Sequence, residues 1–248
     1  MSYNALFADA FKYGLMFGKD VEPGQDVSVS VTNQEDVLLA VKKAYIDMSP
    51  RTFKSDGTEK AELNPQKKET LFAALAQRFC DYMQNGAPDF EKWHNTQCEF
   101  FITEFRKILK DARKNPADAT YGKAQKIVNM TFKYLYCFDD AKDYSERFAP
   151  CHMALDSYIL AWVQEWYLDQ YNKGKPRRET LSKTGARHLP NWSHLAYSTV
   201  DGVPQYIELQ EAIRQQVKTE YAGMTPFEAE FLIWYTYRRK AMEKNTNP

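Results

Sequence analysis

The chain has 248 residues, 44% of them hydrophobic and 15% aromatic, which is ample for a packed core and excludes a mostly disordered protein. Its 33 Lys and Arg balance 33 Asp and Glu, which argues against a polyanion-coating protein and leaves only a local basic surface to hold nucleic acid. Every apolar run is broken by Lys, Glu or Gln before the roughly 20 residues of a membrane span, and Cys80, Cys98, Cys137 and Cys151 form no CxxC pair. With no apolar leader, the expectation is a cytoplasmic protein with reduced thiols and no membrane partner.

In chain order, residues 3 to 17 carry apolar side chains at helical spacing, and VSVSV at 27 to 31 alternates like a strand without a partner. Asn33 is the expected cap of a helix through Ile46. A polar loop follows at 51 to 64, and Asn64-Pro65 opens a helix to about Met83. Trp93, Cys98, Phe100, Phe101, Phe105, Ile108 and Leu109 form the stripe of a long amphipathic helix within 89 to 114. The hairpin-like NPADATYG comes next, then two apolar segments that both read as helices, 121 to 138 and 152 to 171. Residues 173 to 203 form the longest non-helical stretch. Thr225-Pro226-Phe227-Glu228 is a capping box that opens a helix to about Glu243. The fold class expected is all-α, a single unit over 1 to 248 with two helical lobes and a cleft lined by 121 to 138 and 152 to 171.

Two residues near the starts of those segments draw attention. At about 100° per residue, Ala124, Ile127, Val128, Thr131, Phe132, Leu135 and Phe138 share one apolar arc. Lys126, Asn129, Met130, Lys133 and Cys137 lie opposite, and Met130 and Cys137 do not suit a solvent face. Lys126 is therefore expected in a partly covered position, where lost hydration favours the free amine that a nucleophile needs. Most helical lysines are merely solvated, so the angles alone do not make it catalytic. Asp156 heads Ser157-Tyr158-Ile159-Leu160 and is first of all a helix N-cap, although an anion at that end also suits stabilising a sugar cation.

KGKPRRETLSKTGARH at 173 to 188 sets Lys173, Lys175, Arg177, Arg178, Lys183 and Arg187 against the single acid Glu179. Such a loop suits phosphate contacts, and equally a solvated surface. Trp192 just beyond it could stack on a base or plug the core.

A helix, a hairpin, a helix with an early lysine and, thirty residues on, an aspartate heading the next helix resemble the order in helix-hairpin-helix DNA glycosylases. KIVNMTFKY, with Lys126 and Lys133 seven apart, is similar to the catalytic-lysine segment of the archaeal-type 8-oxoguanine DNA glycosylases. MALDSYILAW is similar to their aspartate segment. The match covers about residues 95 to 165. NPADATYG stands where Leu-Pro-Gly-Val-Gly is usual, and Met153-Ala154 where an Ile-Pro-like pair is usual.

The resemblance implies a monomeric enzyme, free of metal or other cofactor, acting on double-stranded DNA. A modified base is flipped out, Asp156 stabilises the oxocarbenium-like sugar, and Lys126 attacks the anomeric carbon, with strand nicking open to it. Gln125, Asn129, His152 and Trp192 are the candidate base-pocket residues, and Lys123, Lys175, Arg177, Arg178, Lys183 and Arg187 the candidate DNA-backbone contacts. The base could be 8-oxoguanine or a hypermodified phage base such as glucosylated hydroxymethylcytosine, which would make the enzyme a defence factor. The alternative is a non-catalytic all-helical nucleic-acid-binding or regulatory protein. A helical ribonuclease is a weaker third, since no Arg-x4-6-His element is present.

Overall fold

A computed structural model of the chain describes residues 28 to 48, 62 to 183 and 187 to 246. The expected helix at 3 to 17 and most of the loop at 51 to 64 lie outside them. The described residues are all-helical and hold no strand. They gather into two compact units: one runs up to Asp118 and includes Met130–Phe148, and the other comprises Ala119–Asn129 and Ala149 onward.

The first unit is built on α1 (Gln34–Asp47), α2 (Pro65–Asn85) and α3 (Phe90–Asp111). Each starts where a side chain takes over amides that the first turn leaves unpaired. Asn33 accepts from the amides of Glu35 and Asp36, Asn64 from that of Lys67, and Asp89 from that of Lys92. Phe79, Phe101, Phe105 and Phe132 are fully buried, with Phe79 edge-on to Phe132 at 4.9 Å. No strand forms at Val29 and Val31, where carboxylates satisfy the backbone amides. Asp139 accepts from the Val29 amide at 2.9 Å and Asp140 from the Val31 amide at 3.0 Å.

The second unit holds Tyr121–Asn129 of α4 (Tyr121–Leu135), then α5 (Ser157–Asn172), α6 (Tyr206–Glu220) and α7 (Pro226–Thr246). The capping box at Thr225 forms as expected, with Thr225 and Glu228 each accepting the other's amide. The α6 helix, not expected from the sequence, opens on a reciprocal pair of its own, Gln205 with Glu208. The second apolar segment starts its helix later than its pattern suggests. Residues 151 to 156 are non-helical, Cys151 through Asp156 are all buried, and α5 begins only at Ser157. An isolated extended segment in a helical core has no neighbouring strand to satisfy its backbone, so side chains must do it. That requirement shapes the candidate site.

Candidate active site

Four buried side chains from three helices hold the segment 153 to 155. Gln125 donates to the Leu155 carbonyl at 2.9 Å and accepts the Leu155 amide at 3.2 Å. Asn129, one turn further along α4, reaches the Met153 carbonyl at 3.2 Å, and Gln210 of α6 donates to the same oxygen at 2.8 Å. Glu230 of α7 accepts the Ala154 amide at 3.0 Å. These carbonyls and amides are thereby paired as a sheet ladder would pair them.

Asp156 ends this segment. Its Oδ1 accepts from the amides of Tyr158 and Ile159 at 2.9 and 3.0 Å, and its Oδ2 accepts from the Trp234 indole at 3.1 Å. The capping role is therefore fully realised, on a residue only 7% exposed. Oδ1 uses both of its lone pairs, while Oδ2 takes one donor and keeps further acceptor capacity.

Lys126 is half-buried, and its ammonium lies 4.5 Å from the centre of the Trp192 ring, where the electron-rich ring face attracts a cation. Trp192 is brought there by backbone. Thr120 donates its hydroxyl to the Ser193 carbonyl, and the Gly122 amide donates to the Leu195 carbonyl at 3.0 Å. The Trp192 carbonyl passes so close to Gly122 that only a residue without a Cβ fits. Trp192 also lines a cavity of about 350 Å³ with Ser157, Gln164, Lys183, His188 and Asn191. Of its lining residues, Trp192 carries the Lys126 contact and Ser157 follows Asp156 in sequence; neither Lys126 nor Asp156 lines the cavity itself.

The expected covering of the lysine's face is present. The apolar arc of α4 is buried throughout; opposite it, Asn129 and Lys133 are buried and Lys126, Met130 and Cys137 half-buried.

Several sequence-based assignments need correction. Gln125, Asn129 and His152, proposed to read a base, are 0%, 0% and 2% exposed and engaged with protein. Gln125 and Asn129 position the backbone, His152 is held by two side chains, and none of the three offers a face to a ligand. His152 sits between the Tyr206 hydroxyl, 2.8 Å from Nδ1, and the Arg214 guanidinium at Nε2. Arginine can only donate, so Nε2 accepts and the ring proton is on Nδ1. Lys123, proposed at the DNA backbone, is 5% exposed, because its position on α4 faces the interior. Arg187 donates to the carbonyls of Asp201 and Gly202 at 3.4 and 3.0 Å, bracing a turn whose two residues have positive φ. Lys175 covers the Tyr171 ring, Arg178 lies 3.4 Å from Glu179, and Arg177 and Lys183 are exposed.

Gln210, Glu230 and Trp234 were missed by sequence reasoning. The available signal was a glutamate interrupting the apolar run Phe227 to Tyr237, with a tryptophan one turn later. In the first unit, a groove of about 360 Å³ is floored by Leu71, Ala74, Phe100 and Ile108. Lys67–Asp111 and Lys107–Glu104 pairs neutralise its rim, leaving no group poised for chemistry. Among the described residues no cluster of His, Cys, Asp and Glu could hold a metal ion, and no helix is long and apolar enough to cross a membrane. No protein-family model, curated protein or solved structure matches the chain.

Proposed function

We propose that the protein is a DNA glycosylase that excises a modified base with Lys126 and Asp156. The observation that carries this reading is the pair of hydrogen bonds between Gln125 and Leu155, the residues immediately before Lys126 and Asp156. It joins the residues that precede them in the chain, although thirty positions of sequence separate the two. The cavity bordered by Ser157 and Trp192 is in the size range of small-ligand pockets.

The chemistry follows from these groups. An extruded base leaves C1′ of its sugar accessible, at an unstacking cost of a few kcal/mol. As the glycosidic bond lengthens, the base takes the bonding electron pair and a proton. Positive charge grows on the sugar opposite the Asp156 carboxylate, whose fixed orientation avoids reorganisation during the step. The Lys126 ammonium leaves the Trp192 face, supplies the proton that the departing base takes, and bonds to C1′ through the nitrogen lone pair so freed. Ring opening yields an imine to lysine, from which β-elimination nicks the strand. The excised base is 8-oxoguanine-like or a hypermodified phage base, repair in the first case and defence in the second.

Borohydride reduces such an imine to a stable amine. Incubation with damaged and phage-modified duplexes in its presence should give a covalent adduct that Lys126→Gln abolishes. No adduct across the substrate panel would sink the reading.

One observation favours a second reading, a non-catalytic nucleic-acid-binding protein. Every hydrogen bond to Asp156 noted above has a purely structural role, two as helix cap and one as a tie to Trp234 of α7. In that case wild type and Lys126→Gln would bind DNA alike, and neither would form an adduct.

A further inference from the structure

Helix α7 carries Glu230, Trp234 and Arg238 at successive intervals of four, which places them in one row along the helix. The row runs from interior to solvent. Glu230 is 1% exposed and holds the Ala154 amide, Trp234 is half-buried and holds Oδ2 of Asp156, and Arg238 is exposed. The Arg238 guanidinium carbon lies 5.3 Å from the centre of the Trp234 ring. One indole therefore links the carboxylate to the guanidinium.

Arg238 belongs to the run Arg238-Arg239-Lys240, and the three cations are treated differently. Arg239 pairs with Glu243 at 3.6 Å and Lys240 with Glu165 at 3.7 Å. Among the described residues, the contact made by Arg238 is the tryptophan ring and no carboxylate. An arginine stacked on an aromatic plane loses little further freedom when its N–H fork engages an anion, and that fork matches phosphate oxygens.

We propose that Arg238 holds a phosphodiester flanking the nucleotide on which Asp156 acts, an inference that rests on the glycosylase reading above. A sugar with C1′ beside Asp156 carries a phosphate on each side, and the stacked guanidinium is the cation mounted on the residue that orients that carboxylate. Its contact carries no base information; it sets the register of the sugar against Asp156.

The test uses the full-length protein and a duplex containing one pyrrolidine abasic-site analogue, an uncleavable cationic mimic of the sugar transition state. Single methylphosphonates replace each flanking phosphate in turn, and affinity is read by fluorescence anisotropy. Wild type should prefer the pyrrolidine duplex over unmodified DNA. Arg238→Gln should bind it about tenfold more weakly, with a salt slope lower by about 1. One methylphosphonate that weakens wild-type binding should leave Arg238→Gln binding unchanged, and Arg238→Lys should recover part of the loss.

If the pyrrolidine preference depends on Asp156 but Arg238→Gln binds like wild type, or every methylphosphonate weakens both proteins equally, the Arg238 assignment is overturned and the glycosylase reading stands. If wild type shows no pyrrolidine preference and Asp156→Asn changes nothing, both are overturned. The position is exposed, so a melting midpoint equal to wild type is expected for Arg238→Gln. Partial recovery by lysine separates lost charge from lost structure.

Discussion

Gln125 and Leu155 exchange two hydrogen bonds across thirty positions of sequence, and the same glutamine also donates to the Gly122 carbonyl and accepts from Asn129. All of its hydrogen-bonding capacity is spent inside the protein. Gln125→Met keeps the length of the side chain and removes every one of these bonds, leaving the Leu155 amide and carbonyl buried without this partner. A stability loss of about 2 kcal/mol or more is expected, read as a lower urea midpoint at unchanged slope. An unchanged midpoint would show that the clamp does not hold the segment.

Asp156 can be tested separately as cap and as catalyst. Asn caps a helix about as well as Asp, so Asp156→Asn should keep the two amide bonds and cost about 1 kcal/mol, through its amide facing the Trp234 indole. Base excision should be lost while DNA binding remains. Asp156→Ala should lose cap and excision together. Wild-type turnover by Asp156→Asn would refute its catalytic assignment.

Gly122→Ala would place a Cβ inside the Trp192 carbonyl oxygen. The 192 to 195 turn must then move, which breaks the Gly122 to Leu195 hydrogen bond and shifts Trp192 relative to Lys126. A loss of roughly 2–3 kcal/mol is expected, together with altered tryptophan fluorescence. Wild-type melting and fluorescence in the variant would mean that this close approach is not needed.

The basic loop should divide into two kinds of arginine. Replacing both Arg177 and Arg178 by Ala should lower the salt slope of DNA binding by about 2 and leave the melting temperature unchanged. Arg187→Ala should lower the melting temperature, because its guanidinium braces the Asp201-Gly202 turn. The reverse pattern would exchange their roles.

Alkaline pH should weaken the first unit. Burial pushes the Cys80 thiol from 9.0 up to about 11 and the Tyr45 phenol from 10.0 up to about 12. Between the ordinary and the raised value the unfolded chain has lost a proton that the folded chain keeps. Stability is thus fully present below about pH 9 and declines toward pH 12. Urea midpoints measured from pH 8 to 11 should fall less steeply in Cys80→Ala; parallel profiles would exclude that thiol as a contributor.

Helix starts were legible in the sequence where a cap did the work locally. Asn33, Asn64, Asp89, Asp156 and Thr225 all head helices, since each bond spans two or three residues and needs no distant partner. The alternating valines were legible only as a backbone without a strand partner; the sequence did not say that the partners are carboxylates at 139 and 140. Gln125 and Asn129 were singled out as candidate ligand contacts when their amides were needed for the backbone of 153 to 155. A buried amide and a ligand-facing amide have the same spelling.

By itself, the sequence determined an all-helical chain, most of its helix boundaries, the covered lysine face of α4 and the capping carboxylate at Asp156. These depend on periodicity and on hydrogen bonds within one turn. Only the tertiary structure decided that the residues before Lys126 and Asp156 are clamped together, that Trp192 lies under the lysine, and that Trp234 carries both the aspartate and Arg238. The clamp, the lysine–tryptophan contact and the aspartate–tryptophan bond join positions 30, 66 and 78 residues apart, and no local pattern records them, because they arise where distant segments of the chain pack together.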